Sequence, residues 1–261
     1  MSNFVTAGAD AENDLVKELN KNKKDPRWKI LGIIDTTDHF IIHVNKKVIS
    51  KMTNSKVNPK ADVYIARGTL QQSLVEKEFF LTDNDVEKDN LSKISGTGIS
   101  IKRPGSNSYT IHKWTPDSFE KTFGSYNLGA GVSIFRQNEE ELVKNDTLLV
   151  GWKTSWDSFE KYFSNISDIK LLKNSQVSGE QRKNIAKKVS EYSTKIVTEK
   201  IKCNKHIQDH IFCGSTNFDE PYNATWFYSN QTLIKATKIP FSITTGSGRT
   251  KGDYTVVIKP K

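Results

Sequence analysis

Asp62 opens the run ADVYIARG and Lys102 closes the run TGISIKRPG, so a carboxylate and an ammonium stand at the ends of two apolar-rich segments. That pair suits phosphodiester hydrolysis, in which a carboxylate holds magnesium against a phosphate oxygen and a cation orients or activates the attacking water. Ser100, two residues before Lys102, adds a hydroxyl but no charge at neutral pH. An acid entering a strand and a lysine leaving one also make an ordinary ion pair, so the pattern gains its force only from what surrounds it.

Other residues compete for chemical roles. Glu76, Glu78, Asp83 and Asp85 lie between the two runs, and Glu78 is held in reserve as a metal ligand should the strands run differently. Cys203, His206, His210 and Cys213 follow the pattern C-x2-H-x3-H-x2-C, which uses zinc-binding types. A helix running through them strings the four along about 15 Å, so at most two can share one ion, and no metal is assigned there. The glycines of SYNLGAGVSIF lack both nucleotide-binding fingerprints, which predicts no nucleotide cofactor. Near the end of the chain, GSGRTKGD is a cationic turn that could bring Arg249 and Lys251 to a phosphate or a guanine edge.

The elements that must position Asp62 and Lys102 read as mixed α/β. An amphipathic helix is predicted over residues 10 to 22, with Leu15, Val16 and Leu19 on its apolar face and Glu12 and Glu18 among its charges. Strands are predicted at WKILGIID, HFIIHV, ADVYIARG and TGISIKRPG, with a short helical segment at NKKVISKM. After the PGSN turn, SYTIHKW is expected to pair antiparallel with the strand that carries Lys102. Thr115, Pro116 and Asp117 then start a helix whose Phe119 and Phe123 share one face. The echo between DSFEKTF and DSFEKYF is read as two similar helix starts, not a duplication. The longest helix is expected over 177 to 202, with Ile185, Val189, Tyr192, Ile196 and Ile201 roughly on one side, and the β-rich tail is expected to form a small sheet carrying Lys235, Lys238, Arg249 and Lys251. Trp114, Trp152 and Trp156 fall beside helix starts, where packing explains them.

The chain has 261 residues, enough for one substantial core, and a single domain over 1 to 261 is expected. Thirty-nine Lys and Arg against thirty Asp and Glu give +9, which favours a polyanionic partner. The first residues have neither a cationic flank nor an apolar run, and no eighteen apolar residues follow one another, so neither secretion nor membrane insertion is expected. Two cysteines make no disulfide framework and suit a reducing cytoplasm.

The spacing of Asp62 and Lys102, the charged segment between them, and the order of elements that follows resemble the PD-(D/E)xK nuclease core over roughly residues 45 to 125, and within it the type II restriction endonucleases. The resemblance implies a restriction-endonuclease-like fold with a central mixed sheet flanked by helices and a small C-terminal β-rich subregion. It also implies a bacterial enzyme that cuts double-stranded DNA with Mg2+, acting as a homodimer on a short site. Ser100 departs from the acidic position of the motif. In Ser-x-Lys variants the missing carboxylate comes from the next helix, which here points to Glu120, with Asp117 in reserve. Asp62 and Glu120 would then hold the metal, Lys102 would stand near the water, and Ser100 would support them. Arg103, Lys235, Arg249 and Lys251 would contact DNA, the gripping part spanning about 177 to 261. A structure-specific repair nuclease of the same fold, or a non-catalytic DNA- or RNA-binding protein, are the alternatives.

Overall fold

The computed structural model describes residues 3–45, 59–102, 109–134, 147–174, 176–215, 219–245 and 254–261. Apart from Asn45, the predicted segment NKKVISKM lies outside them. The chain forms two compact units, the first from Met1–Asn107 with Gln208–Ile239 and the second from Ser108–Ile207 with Pro240–Lys261. Both are mixed α/β or α plus sheet. Among the described residues no helix is long and apolar enough to cross a membrane.

Unit 1 is a six-stranded mixed sheet. Strands β1 (His39–His43), β2 (Val63–Arg67), β4 (Ile99–Ile101), β6 (Trp226–Ser229) and β7 (Thr232–Lys235) lie in that order, and the short β3 (Ser92–Lys93) pairs with β2. All pairs are antiparallel except β4 with β6. Both faces are covered, which explains why β2 reads as the unbroken apolar run VYIA and not as an alternation. On one face helix α1 (Asn3–Lys21) lays Leu15, Val16 and Leu19, with Trp28, on Ile41, Val63, Ile65, Ile99 and Ile101. On the other, Leu81, Val86 and Leu91 pack on Ile42, Tyr64 and Ala66 around helix α3 (Asp83–Lys88).

The outer edge of β1 is closed by a buried side chain. Asn20 donates to the Ile41 carbonyl at 2.8 Å and accepts from the Ile41 N–H at 2.8 Å, so the helix occupies the positions a further strand would use. Covering an edge in this way removes a template for pairing with other chains.

Two strand expectations fail here for identifiable reasons. WKILGIID does not form a strand: Pro26–Ile30 is a short helix, α2, with Asp25 accepting from the Arg27 N–H at 2.9 Å and Pro26 in its first turn. The Asp-Pro start signal outweighs the apolar run. SYTIHKW does not pair with the strand of Lys102. Its observed strand, β5 (His112–Trp114), joins β9 (Val256–Pro260) and β8 (Phe241–Thr245) in the three-stranded sheet of unit 2. The tail therefore does not form one small sheet: β6 and β7 complete unit 1, and β8 and β9 build unit 2.

In unit 2, α4 (Pro116–Phe123) starts at Thr115, whose hydroxyl accepts from the Ser118 N–H, and buries Phe119 and Phe123 as the spacing predicts. The echoing segment forms α7 (Trp156–Tyr162), capped by Ser155. Between them run α5 (Tyr126–Ser133) and α6 (Thr147–Gly151), and the long α8 (Gly179–Cys203) packs on α5. The glycines of the NLGAG segment are contact points. A β-carbon on Gly129 would sit 2.1 Å from the Trp152 ring, and one on Gly131 would sit 2.2 Å from Ser193 Oγ. Trp114 and Trp152 are fully buried, in keeping with packing roles.

Candidate functional site

The end of the β2–β4 pair is where the sequence candidates meet. The two strands share one register pair, Val63 with Ile99, and the Asp62 N–H donates to the Ile99 carbonyl at 2.8 Å. Two residues further along β4 the backbone ladder gives way to a side chain. The Ile101 N–H donates to Asp62 Oδ2 at 2.7 Å, and Ser100 Oγ lies 3.3 Å from the same oxygen. Lys102 Nζ donates to Ser100 Oγ at 2.8 Å. Carboxylate, hydroxyl and ammonium thus form one continuous chain, with Ser100 buried at its centre.

Two features of β6 hold Lys102 in this place. Its backbone N–H donates to the Tyr228 carbonyl at 2.8 Å, extending the parallel pair, and its ammonium sits 5.1 Å from the centre of the Phe227 ring. Gly98 sets the approach of β4. A β-carbon there would lie 1.9 Å from the Asn223 carbonyl oxygen and 2.4 Å from that of Pro221. The loop before β6 therefore presses directly on the backbone that leads into Ile99 and Ser100.

Lys60 was not singled out by sequence reasoning, although it stands two residues before Asp62 in NPKAD. Its Nζ donates to the Ile211 carbonyl at 2.7 Å, within a π-helical turn over Asp209–Cys213. Burial, and then the charge of Lys102, bring its pKa down to about 8 from 10.5. Between pH 8 and 10.5 the unfolded chain holds a proton on Lys60 that the folded chain lacks, so this group makes stability rise with pH across that window. Below pH 8 both states are protonated and its unfavourable contribution is complete. Urea denaturation at pH 8 and pH 10 should show a smaller rise for Lys60→Met than for the parent chain; an equal rise would mean that Lys60 titrates normally.

The remaining acids have other engagements. Asp83 is buried and accepts from Tyr64 and Tyr222 at 2.8 and 3.0 Å, and from the Asn45 N–H, so it anchors structure. Asp85 pairs with Lys77 and closes a capping box with Thr82. Glu76 accepts from the Ser73 N–H at 3.1 Å, and the exposed Glu78 lies 3.9 Å from Lys17. On α1, Glu12 meets His43 at 3.1 Å and Glu18 meets Arg27 at 2.6 Å.

Asp117 and Glu120 lie on α4 and belong to unit 2. Lys153 holds Asp117 at 2.5 Å and Tyr126 donates to it at 3.1 Å; these two hydrogen bonds keep its carboxyl below the ordinary range. Arg103, Arg249 and Lys251 lie outside the described residues. Lys235 is exposed on β7, 5.7 Å from the centre of the Trp226 ring. Of the zinc-type residues, Cys203 ends α8, His206 is on α9 (Lys205–Gln208), and His210 and Cys213 belong to the π-helical turn.

Magnesium typically takes one or two carboxylates and completes its shell with water and substrate phosphate. Asp62 with Ser100 fits an ion shared in that way. It does not make a cage of protein ligands, and among the described residues no three His, Cys, Asp or Glu side chains cluster to hold a metal. The fold and site define a mixed α/β protein with an Asp–Ser–Lys chain at the end of its larger sheet. The sequence matches no family model and no curated protein.

Proposed function

We propose that this chain is a magnesium-dependent endonuclease of double-stranded DNA, working at the end of β2 and β4. The observation that carries the reading is the unbroken hydrogen-bonded chain from Lys102 Nζ through Ser100 Oγ to Asp62 Oδ2. It brings a metal-binding carboxylate and a water-orienting cation within one side-chain length of each other, which is the arrangement hydrolysis of a phosphodiester requires.

In this reading Asp62 holds Mg2+, which would supply charge neutralisation at the phosphate and lower the pKa of a bound water. Ser100 keeps Asp62 and Lys102 in register, and Lys102 orients the attacking water. A homodimer reading a short palindromic site in a bacterial cytoplasm, with Lys235, Arg103, Arg249 and Lys251 on the DNA, is the corresponding biological setting.

A second reading has an observation of its own. Asp62 accepts the Ile101 N–H where the strand ladder opens, and a carboxylate serving only that purpose belongs in a DNA- or RNA-binding protein without turnover. Incubation of the purified protein with a long DNA of known sequence, in magnesium and in EDTA, separates the readings. Discrete magnesium-dependent fragments are expected. A smear would indicate a non-specific or structure-directed nuclease, and intact DNA in both conditions would reject nuclease activity.

A further inference from the structure

The positive charge of the chain is unevenly divided. Unit 1 carries 19 Lys and Arg against 17 Asp and Glu, whereas unit 2 carries 20 against 13, so unit 2 holds +7 of the net +9. Much of that excess is on α8, which has seven Lys and Arg and three Glu. The helix buries Ile185, Ala186, Val189, Val197 and Ile201. Its opposite side exposes Lys187, Lys188, Lys195 and Lys202. The last three recur every seven residues, two helical turns or about 10.5 Å apart, and so form a stripe about 21 Å long.

We infer that this exposed side of α8 is a phosphate-backbone surface for duplex DNA. Along 21 Å of B-DNA one strand presents about six phosphates at 3.4 Å per phosphate, enough to meet the whole stripe. The acids nearby reduce the field without cancelling it. Lys188 pairs with Asp168 at 3.0 Å, Lys187 lies 3.9 Å from Glu191, and Glu199 shares the shallow groove beside Lys195 and Lys202. An anionic membrane is the poorer fit, because a helix lying on lipid inserts an apolar face, and the apolar face of α8 is buried within unit 2. No base is read by such a surface, so its contribution is independent of DNA sequence.

The inference rests on the DNA-binding part of the nuclease reading and narrows it to α8, so binding is measured in EDTA, where cleavage plays no part. The affinity of the full chain for a 30-base-pair duplex is followed across a salt series, beside the triple variant Lys188→Gln, Lys195→Gln, Lys202→Gln. Loss of three phosphate contacts should reduce the slope of log K against log salt by about 2.7, at about 0.9 per contact, and by the same amount on two unrelated duplexes. Thermal unfolding should change little, since all three side chains are exposed and the Lys188–Asp168 pair lies at the surface. An unaltered slope, a loss confined to one DNA sequence, or no duplex binding by the parent chain would each overturn the inference. So would equal dependence on the three lysines for anionic phospholipid vesicles. Binding that persists without cleavage in magnesium would sink the nuclease reading and leave this surface standing.

Discussion

Asp62→Asn should reduce magnesium-dependent cleavage by at least about a thousandfold, equivalent to roughly 4 kcal/mol of transition-state stabilisation. The substitution is chosen for what it keeps. Asparagine still offers an oxygen to the Ile101 N–H, so the opening between β2 and β4 stays bridged, while the charge that holds the metal is lost. Lys102→Met should act in the same direction and leave Ser100 without its donor. Single-turnover rates, with duplex affinity in EDTA and a thermal melt as controls, give the test. Wild-type cleavage by Asp62→Asn would end the assignment of this site, and a collapsed melt would make Asp62 a structural residue first.

Gly98→Ala should be the most damaging single methyl group in unit 1. Its β-carbon meets two backbone carbonyl oxygens, at 1.9 and 2.4 Å, and neither can swing away as a flexible side chain would. Relief requires β4 or the loop before β6 to shift. Overpacking of this kind costs about 3 kcal/mol, toward the top of the usual range. The shift would also displace Ser100 and Lys102, so activity should fall beyond what the loss of folded protein explains. Denaturant midpoints and rates at a temperature where the variant remains folded separate the two effects. A midpoint within about 0.5 kcal/mol of the parent would show that the loop yields easily.

Residues with strong local signals were legible in the sequence. The i to i+4 pair Phe119 and Phe123 with its Thr-Pro start gave α4, and the apolar face of Leu15, Val16 and Leu19 gave α1. The long α8 was legible in its span but less so in its face. Tyr192 is substantially exposed, and Ala186, Ser193 and Val197 take buried positions; Ser193 lies against α5 at Gly131, where a β-carbon would sit 2.2 Å from its hydroxyl.

Pairing between distant segments was not legible. Strand β4 finds its parallel neighbour at Trp226–Ser229, across more than a hundred residues, while the nearby SYTIHKW goes elsewhere. A local turn predicts a hairpin only when both strands bury their faces in the same core, and here they do not. At the site, Asp62, Ser100 and Lys102 were named from the sequence and the structure joins them. Lys60 was missed because its role comes from the distant π-helical turn it bonds, and Asn20 because nothing local reveals that α1 would cover the edge of β1.

The backbone passes between the two units three times, after residues 107, 207 and 239. No single peptide-bond cleavage can release either unit whole, and no truncation from one end can yield the complete sheet of unit 1 without residues 108–207. During synthesis the first four strands emerge long before β6 and β7, and residues 108–207 must be made in between. Lys102 therefore has neither its Tyr228 carbonyl nor its Phe227 ring until more than a hundred further residues have been made. Fragments left by interrupted synthesis would contain Asp62 and Lys102 in their sequence and still lack the strand that holds the lysine in place.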